Sequence, residues 1–84
     1  MYKLTIDERF NSFIDASASI EKYSESLDEL KKEFDNYVML ESLLATMIGW
    51  ETDEWETKRG WYFEAYEVGD FENKQTRASL EICV

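Results

Sequence analysis

The sequence predicts an α+β domain in which one long amphipathic helix, continuous or in two pieces, packs on a small antiparallel sheet of three or four strands. Three observations carry that expectation. Tyr2-Lys3-Leu4-Thr5-Ile6-Asp7 alternates apolar and polar residues strictly, the period of a half-buried strand. Apolar residues at 20, 23, 27, 30, 34, 37, 40, 43, 44, 47 and 48 keep the spacing of a helix face. The segment from Thr76 to Val84 alternates again, with Ala78, Leu80, Ile82 and Val84 on one side.

The first strand places Tyr2, Leu4 and Ile6 inward. Phe10-Asn11-Ser12-Phe13-Ile14-Asp15 reads as a second strand returning across a turn at Asp7-Glu8-Arg9, in preference to the start of the helical region. The helix then runs from about Ile20 to Ile48 and stops at Gly49, a residue suited to the left-handed conformation that ends helices. Ser26 followed three residues later by Glu29 forms a capping box, and Ser19 offers an earlier start. Asp35-Asn36 marks the place where the helix would divide, because both residue types compete with helical hydrogen bonding. Trp50-Glu51-Thr52-Asp53-Glu54-Trp55-Glu56 reads as an acidic connector, leading through Lys58-Arg59-Gly60 into a β-branched and aromatic strand at 61–68. With a turn at Gly69-Asp70, that strand and 76–84 make a hairpin.

All 84 residues belong to one domain, 1–84, since a chain this short builds a single core. A composition 44% hydrophobic and 15% aromatic supports folding rather than disorder. Its formal charge of −10, from 19 acids against nine bases, exceeds what solubility alone requires and costs stability by self-repulsion. Such a field repels nucleic acid and anionic membrane, so the expected partner is a basic protein surface, with no direct contact to nucleic acid or membrane. A lone cysteine, Cys83, and the lack of a secretory or membrane-spanning pattern lead us to expect a cytoplasmic protein.

Without histidine, the chain lacks the usual neutral-pH base and every Ser–His or Cys–His arrangement. Gly49, Gly60 and Gly69 are isolated and make no phosphate-binding loop. Asp70-Phe71-Glu72-Asn73-Lys74 departs from a calcium loop by a Lys at a ligand position and by the missing Gly. We therefore expect no enzymatic activity, no metal and no cofactor. Glu21, Glu25, Asp28, Glu29 and Glu33 read as the solvated face of the helix. Of Trp50, Trp55 and Trp61, two are expected in the core.

Charge concentrates in 49–74, and eight of the 19 acids fall between Glu51 and Glu72. If Trp61, Phe63 and Ala65 face the core with Ala78, Leu80 and Ile82, the other side of the hairpin shows Tyr62, Glu64 and Tyr66 beside Arg77, Ser79 and Glu81. Tyrosine and tryptophan anchor interfaces because they bury much area for little lost side-chain entropy. Carboxylates two apart on a strand lie about 6.6 Å from one another, a spacing comparable to that of phosphates along a nucleic-acid strand. The expected partner-binding residues are Glu51, Asp53, Glu54, Glu56, Tyr62, Glu64, Tyr66, Glu67, Asp70 and Glu72.

An 84-residue chain with a charge of −10, no histidine and many Tyr and Trp residues resembles the small inhibitors that phages and mobile elements direct against host nucleic-acid enzymes, among them anti-CRISPR proteins and DNA mimics. That resemblance implies a non-enzymatic inhibitor in the host cytosol, docking its acids on the Arg- and Lys-lined groove of a defence nuclease. Two other readings stand beside it. One is an adaptor that pairs through the near-heptad run Ile20, Tyr23, Leu27, Leu30, Phe34, Tyr37. The other is an immunity protein or antitoxin neutralising a basic nuclease. We expect mainly a monomer, with the helical stripe spent on the protein's own sheet, and a homodimer as the alternative.

Overall fold

A computed structural model of the chain describes residues 1–9, 17–69 and 76–83. The strand expected at Phe10–Asp15 lies outside these residues. Five strands and one helix follow in the order β1 (Tyr2–Arg9), β2 (Ser17–Ser24), α1 (Leu27–Ile48), β3 (Glu51–Thr57), β4 (Gly60–Tyr66) and β5 (Thr76–Ile82). The strands form one antiparallel sheet in the order β2-β1-β5-β4-β3, and α1 covers one of its faces.

An α+β fold with one helix on an antiparallel sheet is as the sequence predicts, but the sheet has five strands where three or four were expected. Three local corrections explain the difference. Asp7-Glu8-Arg9 continues β1 and is not a turn. Ile20 and Tyr23 belong to β2, so the helix begins at Leu27. The acidic connector is itself a strand, β3.

α1 starts where its capping box sits. Ser26 holds an extended backbone, and its hydroxyl accepts from the Glu29 amide at 3.3 Å, satisfying one of the helix's orphan donors. The helix passes through Asp35-Asn36 without a break. Lys31, four residues before Asp35, pairs with its carboxylate across that turn. Gly49 then adopts φ 77°, the left-handed cap that L side chains resist, and Trp50 donates to the Ala45 carbonyl at 2.8 Å.

Leu30, Phe34 and Val38, four residues apart, lay one helix stripe on Leu4 of β1, Phe63 and Ala65 of β4, and Ala78 and Leu80 of β5. Leu4, Phe34, Phe63 and Leu80 are fully buried, each stabilising the fold by about 1.5–3 kcal/mol from removal of apolar surface. Tyr2, Ile6, Leu27, Tyr37 and Trp61 pack around this centre. Trp50 and Trp61 are partly buried, whereas Trp55 is exposed.

The β3–β4 turn at Lys58-Arg59 is short and tight. Arg59 donates its amide to the Thr57 hydroxyl at 3.1 Å, and its carbonyl accepts from the Ile82 amide at 2.9 Å. The next residue, Gly60, lies against β5 so closely that a Cβ there would fall 1.9 Å from the Leu80 carbonyl oxygen.

Candidate protein-binding face

Among the described residues there is one helix, which covers one face of the sheet, and strand alternation decides what the other face shows. Leu4, Ala78 and Phe63 point toward α1, and their chain neighbours point away. Register turns the outward residues into rows. Thr5, Ser79, Tyr62 and Trp55 lie side by side across β1, β5, β4 and β3. The adjacent row is Asp7, Arg77, Glu64 and Asp53. Glu51 lies opposite Tyr66 beyond it.

The first row is aromatic at its outer end. The Trp55 and Tyr62 rings stack at 5.5 Å between centroids and 15° between planes. The Tyr62 hydroxyl donates to Glu81 at 3.1 Å, fixing the ring. The second row carries three carboxylates and one guanidinium, and Arg77 approaches Glu64 at 3.8 Å. Between the rows lies an open depression of about 220 Å³, bordered by Thr5, Asp7, Trp55, Tyr62, Glu64, Arg77 and Ser79.

Polar contacts hold the outer acids and the far edge. The Tyr66 hydroxyl donates to Asp53 at 3.0 Å, and that bond, then desolvation, then the neighbouring charges of Asp53, Glu51 and Glu64 raise the phenol's pKa above its ordinary value. On β1, hydrogen bonding to Tyr23 and then to Glu21 raises the Lys3 ammonium above the usual lysine value. Lys3 lies 3.4 Å from the Glu21 carboxylate and 5.6 Å from the centre of the Tyr23 ring. This lysine is thereby engaged within the protein.

Of the residues expected to bind a partner, Glu51, Asp53, Tyr62, Glu64 and Tyr66 come together on this side of the sheet, but Tyr66, expected on show, is buried there. Glu54 and Glu56 stand on the other side of β3, opposite Phe63 and Trp61, where both remain exposed at the sheet edge. Glu67 is exposed just past β4, and Asp70 and Glu72 lie outside the described residues. Glu21, expected on the helix, is on β2 instead.

The expected binding set contains neither Trp55 nor Asp7, and has Glu81 only as a neighbour on the hairpin face. Read as a connector, Glu51–Thr57 gives Trp55 no defined face. A strand reading of Glu51–Thr57 places Trp55 with Glu51 and Asp53 by simple alternation. The assembled face offers hydrogen-bond acceptors and negative charge around a flat aromatic pair, a combination that receives Arg and Lys side chains by ion pairing and by stacking.

Among the described residues, no helix is long and apolar enough to cross a membrane. No known protein family, no curated protein and no solved structure matches this chain.

Proposed function

We propose that the protein is a non-enzymatic inhibitor that docks its uncovered sheet face on a basic protein surface, the nucleic-acid groove of a defence nuclease or a related enzyme. The observation that carries the reading is the outer end of the sheet. There the stacked Trp55–Tyr62 pair is bordered by Glu51, Asp53 and Glu64, beside the edge acids Glu54 and Glu56. Carboxylates in register across strands supply a fixed array for guanidinium and ammonium groups, and the rings supply a central anchor. A net charge of −10 speeds the approach of a cationic partner.

A panel of CRISPR effector and restriction nucleases, assayed for binding and DNA cleavage with and without the protein, tests this. At least one nuclease is expected to be bound and inhibited, with affinity falling between about 0.05 and 0.3 M salt as the screening length shortens. Changing Glu51, Glu54 and Glu56 to Lys, or Trp55 to Ala, is expected to weaken that binding by at least tenfold. The matched reversal at Glu25, Asp28 and Glu29 leaves the affinity within about threefold and acts mainly on the association rate. A nuclease bound equally well by the β3 variants, or a panel in which nothing is bound, overturns the proposal.

A further inference from the structure

The outward line of α1 changes character halfway along. At 3.6 residues per turn, Glu29, Lys32, Asn36, Leu40, Leu43 and Met47 follow one another along the side opposite Leu30, Phe34 and Val38. The first three are polar, as a solvated face should be. From Met39 onward the outward side is apolar: Met39, Leu40, Leu43, Leu44 and Met47 are all exposed, Leu40 at 62%, Leu43 at 60% and Met47 at 82%. Within 36–48 the single charged residue is Glu41, which is half-buried on the flank toward the sheet.

We propose that this stripe is the interface of a homodimer, formed by two copies of α1 packed antiparallel about a two-fold axis near Leu43. Three arguments select a second copy as the occupant. The first is area: at these exposures each side chain offers roughly 100 Å², so five per copy remove roughly 1,000 Å² over both copies, about what a specific interface has to reach. The second is charge. A chain at −10 repels its own copy everywhere else, and the outward line of 39–48 is where that repulsion has no local source. A basic partner gains nothing from a surface without carboxylates, whereas a second copy presents the same leucines and methionines of necessity.

The third argument fixes the orientation. Leu40, Leu43 and Met47 have the four-and-three spacing of a helix–helix seam. Pairing them in parallel sets the first-turn acids Asp28 and Glu29 of both copies side by side, whereas antiparallel pairing sends these acids to opposite ends. With Leu43 at the axis, Met39 and Leu40 of one copy meet Met47 of the other. The monomer expected from the sequence assumed that the sheet would cover the whole stripe. It covers Leu30, Phe34, Val38 and Ala45 and leaves these five outside.

Sedimentation equilibrium of the protein alone, over micromolar to high-micromolar concentration, reads the outcome without any basic target and so independently of the inhibitor function. The expected result is a concentration-dependent rise from 10.0 kDa toward twice that mass. Dimerisation should strengthen with salt, as repulsion between two negative chains is screened, which is opposite in sign to the salt effect on a basic partner. Leu43→Glu should raise the dimer dissociation constant at least tenfold while the circular dichroism spectrum stays that of the wild type. In a Cys83→Ser background, Leu43→Cys should oxidise to a linked dimer and Lys32→Cys should not. A single-chain mass at every concentration and salt overturns the proposal, as does an unlinked Leu43→Cys chain. A stripe that binds neutral phosphatidylcholine vesicles while the protein stays monomeric assigns it to lipid and equally overturns it.

Discussion

Tyr66 is 6% exposed, and its hydroxyl reaches the Asp53 carboxylate from the neighbouring strand. The bond favours the protonated phenol, so the folded-state pKa lies above the unfolded one. The sign of the linkage follows: this contribution to stability is fully present below the ordinary tyrosine value near 10 and is lost as pH rises through the raised folded value. Ultraviolet titration should therefore show a late-ionising phenol that Tyr66→Phe removes and Asp53→Ala brings down. A titration curve whose alkaline end is unchanged in Asp53→Ala would remove the bond from the account. The residue matters beyond its own proton, because the same bond holds Asp53 in the row of carboxylates that faces a partner.

Gly60 sets the seam between β4 and β5. A Cβ there meets backbone atoms, the Leu80 carbonyl oxygen at 1.9 Å and the Glu81 Cα at 3.0 Å, so the two strands must separate to admit a methyl group. Gly60→Ala should lower the unfolding free energy in urea by at least about 2 kcal/mol. At Gly49, where nothing lies within 4 Å and only the positive φ is strained, the same change should cost about 1 kcal/mol. Equal losses at the two sites would mean that β4 and β5 do not approach as described. The strands legible in the sequence, β1, β4 and β5, are the central ones, and the two missed, β2 and β3, are both edges. The cause is physical: apolar alternation records a buried face, and every residue of β3 is exposed. On β2, Ile20 and Tyr23 are exposed too, and their spacing to Leu27 happens to match a helix turn. Ser26 with Glu29 marked the true helix start because capping is a local interaction that does not depend on tertiary partners. For the same reason the hairpin face of Tyr62, Glu64, Arg77, Ser79 and Glu81 was readable, whereas Trp55, on an edge strand without alternation, was not.

At the scale of the whole molecule, some 37 Å long and 20–22 Å across, two surfaces of opposite character sit on opposite sides of one core: an acidic sheet face and an apolar helix stripe. Long-range attraction for cations belongs to the first, and short-range packing belongs to the second. β3 has one further consequence. Among the described residues no strand lies beyond it, and an unpaired edge invites another chain to extend the sheet. Glu51, Asp53, Glu54 and Glu56 project from it on both sides, so a copy arriving edge to edge must bring carboxylates against carboxylates. That protection is repulsion between like charges, so neutral side chains at these four positions remove it. With Glu51, Glu54 and Glu56 changed to Gln and Asp53 to Asn, the protein should assemble into thioflavin-positive material, whereas the wild type in the same buffer should remain clear. Equal growth of both proteins, or none in either, would show that charge is not what guards the edge. The carboxylates then act as chain terminators, ending the sheet at β3.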